Sequence, residues 1–186
     1  MKFFARTIFV VILFQSCTPS GEQVLLDGFS QWRTGHDEET TQLIPASSND
    51  ALTLENNLTV AHAKFVVKGY GEMSFPIDPQ TPEGEEARQV DLSESKFIVV
   101  SYQANHEAVL QLRQTGVHGG VHNHVSLPES VQFVTDTIYF AEFKGGLKPL
   151  NLTDVAKFNF ALLSNDSTDG FAEIVVKSFK IDRLIP

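Results

Sequence analysis

The chain reads as an all-β protein, an antiparallel β-sandwich of the jelly-roll type, and three observations carry that reading. Val, Ile, Phe and Thr recur in short apolar or alternating runs that suit a half-buried pleated surface. Turn-forming clusters (SSND, DPQTPEGEE, NHE, FKGGLKP and SNDSTDG) separate those runs, at the spacing of about 8–12 residues expected of a sandwich. No window keeps apolar residues at helical spacing for more than about two turns. Two packed sheets would bury the apolar faces, and a jelly roll also limits exposed edges.

The first element stands outside that fold. MKFFARTIFVVILFQSC has a basic start at Lys2 and Arg6, an apolar run from Ile8 to Phe14, and small or polar residues up to Cys17. This is the layout of an export signal over residues 1–16, and the apolar run is shorter than the roughly 20 residues needed to span a bilayer. Leu13-Phe14-Gln15-Ser16-Cys17 resembles a lipobox. The resemblance implies that Cys17 carries a lipid, that residues 17–22 form a short tether, and that the protein is anchored to the membrane of a bacterial envelope. Thr18 carries no inner-membrane retention signal, which points to the outer membrane. Cys17 is the single cysteine, so no internal disulfide can form and stability must come from the core.

Residues 23–186 form one domain. The expected strands are QVLL (23–26), ALTLEN (51–56), AKFVVKG (63–69), EMSFPI (72–77), KFIVVSYQ (96–103), AVLQLRQ (108–114), VHNHVSL (121–127), VQFVTDTIYF (131–140), VAKFNFALL (155–163) and FAEIVVKSFKI (171–181). The polar, Pro-containing segment 78–89 reads as an exposed loop, not a domain boundary. The formal net charge is −9, or −11 once Lys2 and Arg6 leave with the signal. An acidic chain with no basic block excludes phosphate-backbone recognition, so no nucleic-acid partner is expected. A monomer is expected.

GVHGGVHNHVSLP (116–128) holds three of the six histidines. In a strand over 121–127, Val121, Asn123, Val125 and Leu127 share one face, and His122, His124 and Ser126 the other. The Val/Leu face belongs to the core, with Asn123 as the misfit. In the preceding strand, taking Leu110 and Leu112 as core turns Gln111 and Arg113 outward. A hairpin through the GVHGG loop would gather Gln111, Arg113, His122 and His124 into one outward patch rich in hydrogen-bond donors. Tyr102, Tyr70 and Trp32 are candidate stacking rings, Trp32 because it is the single Trp and lies in polar QWRTGHDEE. Three readings of the histidines stay open: a ligand-contacting face, a solvated strand face, or a metal site with His118 as third ligand. Against the metal stand Arg113 beside the patch and the lack of any acidic residue between Glu107 and Glu129.

From Leu25 onward the order of motifs resembles that of the galactose-binding-like β-sandwiches. Family-11-type carbohydrate-binding modules and the domain of complex I intermediate-associated protein belong to that group. The matching pieces are VLLDGFSQW (24–32), DLSESKFIVVSYQA (91–104), AVLQLRQ, SLPESVQFVTDTIYFAEF (126–143), PLNLTDVAKFNFAL (149–162) and DGFAEIVVKSFKID (169–182). Tyr139 stands where a proline is usual and Phe133 where a tryptophan is common. The resemblance implies a non-catalytic module that binds a polysaccharide on a concave sheet face. It also implies calcium as a structural cofactor, with Asp27 and Asp182 at the matching acidic positions.

No G-x-S-x-G elbow, H-E-x-x-H or P-loop occurs. Two other functions compete with the module. A polysaccharide lyase or hydrolase would use the same face, with His122 or His124 as base, Tyr102 as acid and Arg113 neutralising a uronate. A structural or assembly lipoprotein would instead offer a sheet face to a protein.

Overall fold

The computed structural model describes residue 26 and residues 31–82, 86–117, 119–163 and 170–183. The export signal, Cys17 and its tether lie outside the described residues, as do Asp27, His118 and residues 23–25 of the first expected strand.

Among the described residues eleven strands make two antiparallel sheets: β1 (Arg33–His36), β2 (Thr41–Ile44), β3 (Leu52–Glu55), β4 (Leu58–Val66), β5 (Tyr70–Pro76), β6 (Phe97–Ala104), β7 (Ala108–Gln114), β8 (Asn123–Leu127), β9 (Ser130–Tyr139), β10 (Val155–Leu163) and β11 (Ala172–Ile181). The five-stranded sheet runs β1-β5-β10-β7-β8. The six-stranded sheet runs β2-β4-β11-β6-β9, with β3 also paired to β4. The chain crosses between sheets at most connections, and β3–β4 and β7–β8 are hairpins within one sheet. The described residues contain no α-helix, only a 3-10 turn at Phe140–Glu142 and an isolated 3-10 position at Leu26. The fold is the all-β sandwich expected from the sequence.

Period-two alternation builds the core. On β10, Phe158, Phe160 and Leu162 point between the sheets, and Lys157 and Asn159 alternate with them. Phe158 lies 5.7 Å from Phe75 and 4.8 Å from Phe179, ring centre to ring centre, so both sheets meet in one aromatic cluster. Full burial of each such side chain is worth roughly 1.5–3 kcal/mol. On β6, Ile98, Val100, Tyr102 and Ala104 form the opposing buried row.

Trp32 belongs to this cluster, not to the surface. It is 0% exposed, with its ring 4.1 Å from Phe75 and 6.0 Å from Phe160. Tyr102 is 1% exposed, and its hydroxyl donates to the Pro128 carbonyl at 3.1 Å and to Asp136 at 3.3 Å. Neither ring is open to a ligand, which corrects the stacking role expected of both. The physical reason is register: Trp32 enters β1 beneath Phe75, and Tyr102 continues the inward row of Ile98 and Val100.

Strands β1 and β2 were not expected, because RTGH and TQLI are polar and take their place from pairing with β5 and β4. Strand β4 begins at Leu58 and not at residue 63, where β3 pairs with its first residues.

Candidate functional site

The outer face of the five-stranded sheet carries a continuous polar row. Residues opposite each other on antiparallel neighbours point to the same side. Arg33 lies opposite Ser74, Ser74 opposite Asn159, Asn159 opposite Gln111, and Gln111 opposite His124. A guanidinium, a hydroxyl, two amides and an imidazole thus cross all five strands, a width of about 19 Å at ordinary strand spacing. Beside that row Lys157 stands opposite Arg113 on one side and Pro76 on the other. On its other flank Glu72, Ala161, Val109 and Ser126 lie in register.

The middle of the face is held by a hydrogen-bond network. Tyr70 donates its hydroxyl to Glu72 Oε2, and Asn159 Nδ2 donates to the same oxygen at 2.9 Å. Lys157 Nζ lies 3.9 Å from Glu72 Oε1. Burial and the adjoining Glu72 carboxylate push the Tyr70 phenol well above its ordinary pKa, so it is a fixed donor. Asn159 is 1% exposed, and among the described residues its Oδ1 has no hydrogen-bond partner. Burial lowers the Lys157 pKa, with Arg113 acting in the same direction against Glu72 and Glu86.

A cleft of about 420 Å³ opens at one end of this face, where β1, β5, β7 and β10 meet the loop residues Thr81, Glu86 and Ala87. Arg33, Ser74, Arg113, Gln114 and Lys157 line it. A built cleft with several convergent polar groups is the usual setting of a ligand site.

The expected patch is only partly assembled. Gln111 and His124 are cross-strand neighbours on the outer face, and Arg113 lies next to Gln111's row. His122 precedes β8 and is only 8% exposed, packed with Leu112, Val121 and Leu147 around a small pocket. Burial, and then the Arg113 charge, lower its pKa below the ordinary imidazole value. The cover comes from segment 144–148. Lys144 exchanges backbone hydrogen bonds with His124 at 2.9 and 3.1 Å, and Leu147 N donates to the Val121 carbonyl at 2.9 Å. Asn123, the misfit on the core face, is what fastens this segment. It donates to the Lys148 carbonyl at 2.9 Å and accepts from Gly146 N at 3.3 Å.

Among the described residues no group of three His, Cys, Asp or Glu side chains is placed to hold a metal. His124 Nδ1 lies 2.9 Å from the His122 carbonyl, and His118, the expected third ligand, lies outside the described residues. For calcium, Asp182 Oδ2 accepts the Lys96 amide at 3.2 Å and its carbonyl accepts the Ser95 hydroxyl. Asp182 therefore closes a turn, and Asp27, the other expected ligand, lies outside the described residues. The buried Tyr102 hydroxyl lies in the six-stranded sheet, which removes the acid that lyase chemistry on the other face would have needed.

Sequence reasoning missed Arg33, Glu72, Ser74, Lys157 and Asn159. Lys157 and Asn159 were recoverable, since they alternate with Phe158 and Phe160 in VAKFNFALL.

No protein-family model matches the chain, and no curated protein matches it in sequence. Solved structures do match its fold. The family 11 carbohydrate-binding module of the cellulase Lic26A-Cel5E of Clostridium thermocellum superposes with a TM-score of 0.62 at 15% identity, covering 88% of this chain and 96% of that one. The Clostridium thermocellum family 11 module in complex with a β-1,3-1,4-mixed-linked tetrasaccharide gives 0.58 at 16%, over 86% and 95%. The family 30 module of the Clostridium thermocellum cellulase Cel9D-Cel44B gives 0.53 at 10%, over 81% and 90%. At these identities the likeness is one of fold, a β-sandwich shared with carbohydrate-binding modules, and fold alone does not fix function.

Proposed function

We propose that the protein is a non-catalytic carbohydrate-binding module that lays a polysaccharide across the outer face of its five-stranded sheet. The observation that carries this reading is the polar row Arg33–Ser74–Asn159–Gln111–His124, with the cleft at its end. The groups of the row that reach the surface, on Arg33, Gln111 and His124, match a ligand made of hydroxyls, with Ser74 and Asn159 buried between them, and the row's width suits several sugar rings. Tyr70, half-buried at the end of β5, is the aromatic ring beside this row. The fold shared with family 11 and family 30 modules supports the same reading.

The face is open, so much of the ligand stays hydrated and each site binds weakly. In this reading a lipid on Cys17 anchors the domain to the bacterial envelope, where effective concentration turns weak sites into retention of glycan at the cell. The test is a glycan-array screen of the purified protein with and without EDTA, followed by product analysis of each hit. Binding that leaves chains intact, with or without the chelator, is expected. Chain shortening would make the protein an enzyme, and silence across all glycans would overturn the reading.

A further inference from the structure

The cleft has a charge pattern that a ligand made only of hydroxyls does not need. Lys157 and Arg113 are directly opposite each other on β10 and β7, and both line the cleft. Like charges at directly opposed positions destabilise a sheet, so a chain with 23 acidic and 14 basic residues had every opportunity to place a carboxylate there. The carboxylate on the same face, Glu72, is already engaged by Tyr70 and Asn159, and it reaches Lys157 only at 3.9 Å. Among the described residues Arg113 makes no ion pair. Arg33 lines the same cleft, with Glu86 at its rim. Among the described residues the cleft lining thus sets Arg113 and Lys157 directly side by side, with Glu86 at the rim.

We infer that the cleft is a subsite for an anionic sugar, a uronate or a sulfate ester, whose charged group sits between the Arg113 guanidinium and the Lys157 ammonium. This rests on the glycan-binding reading and names its ligand class. A planar guanidinium presents paired donors to such oxygens, and the ammonium adds a point charge. Arg113 depresses the pKa of both Lys157 and His122, so its field reaches both groups, and an anion in the cleft relieves it.

The test compares matched ligands by calorimetry. One pair is polygalacturonate and its carboxyl-reduced form; the other is a sulfated galactan and its desulfated form. The charged member of one pair is expected to bind at least tenfold more tightly than its neutral partner, and which pair responds identifies the anion. Arg113→Gln is expected to abolish that difference while leaving the weak affinity for the neutral member. Its melting temperature should stay level or rise, because the opposed cation is gone. Lys157→Gln serves as a second variant, and Lys180→Gln, on β11 of the other sheet, as the charge control. Equal affinity for charged and neutral members would overturn the inference and leave the glycan reading standing. No binding of any of the four, with a neutral glycan retained in the array screen, would likewise overturn the inference and leave the glycan reading standing, whereas silence across the whole array would overturn both.

Discussion

Replacing Trp32 by Ala separates a packing role from a ligand-stacking role. The side chain is fully buried, 4.1 Å from the Phe75 ring and 6.0 Å from Phe160. Removing it leaves a cavity between the sheets, at a cost of about 3–5 kcal/mol for a large aromatic. Among the described residues its indole Nε1 has no hydrogen-bond partner, so no polar interaction is lost and the cost is one of packing. A domain of this size loses about 2–4 °C of melting temperature per kcal/mol, so Trp32→Ala should melt about 6–20 °C lower. Trp32→Phe keeps a ring and removes an unpaired buried donor, and it should cost less than about 2 kcal/mol. Urea unfolding followed by far-UV circular dichroism measures both variants, since the substitution removes the chain's one tryptophan fluorophore. Calorimetric titration of the folded variants with glycan should give unchanged affinity. A melting temperature within a degree or two of the parent, together with lost glycan affinity, would refute the packing account and make Trp32 a binding ring.

Tyr102→Phe strips the hydroxyl from the Pro128 carbonyl and Asp136 and should cost about 1 kcal/mol in urea unfolding, with glycan affinity unchanged because β6 lies in the other sheet. Burial and the Asp136 carboxylate push that phenol up to about 12, so in ultraviolet titration of the native protein Tyr102 should ionise well above an ordinary tyrosine. Gly71→Ala would bring a methyl carbon within 2.9 Å of the Phe65 ring, and this overpacking should cost about 1–3 kcal/mol by thermal melting. His122 has its folded-state pKa lowered, so between the ordinary imidazole value near 6.5 and that lower value the unfolded chain binds more protons than the folded one. Its contribution is therefore intact above that window and is lost as pH falls through it. Unfolding free energies at pH 7 and pH 5 should differ less in His122→Gln than in the parent, and an equal difference would contradict the assignment.

Local alternation made the central strands legible. AVLQLRQ and VAKFNFALL coincide with β7 and β10, because each interleaves apolar and polar residues between clear turn clusters. It also held the answer for Tyr102, which lies in phase with Ile98 and Val100 and so had to face inward. Trp32 carried no such signal: a lone aromatic in a polar stretch reads as exposed until Phe75 and Phe160, distant in sequence, are seen to close over it. β1 and β2 were illegible for a related reason, since edge strands this short are set by their partners more than by their own composition. His122 and His124 were separable only in three dimensions. Segment 144–148, fastened by the buried amide of Asn123, covers the first and pairs with the backbone of the second.

The most direct test of the glycan face is an amide-resolved NMR titration of the purified protein with the oligosaccharide retained in the array screen. Binding across the five-stranded sheet predicts shifts concentrated at Arg33, Ser74, Gln111, His124 and Asn159, with the amides of β4 and β9 unmoved. Shifts confined to the six-stranded sheet, or to loops away from the cleft, would contradict it.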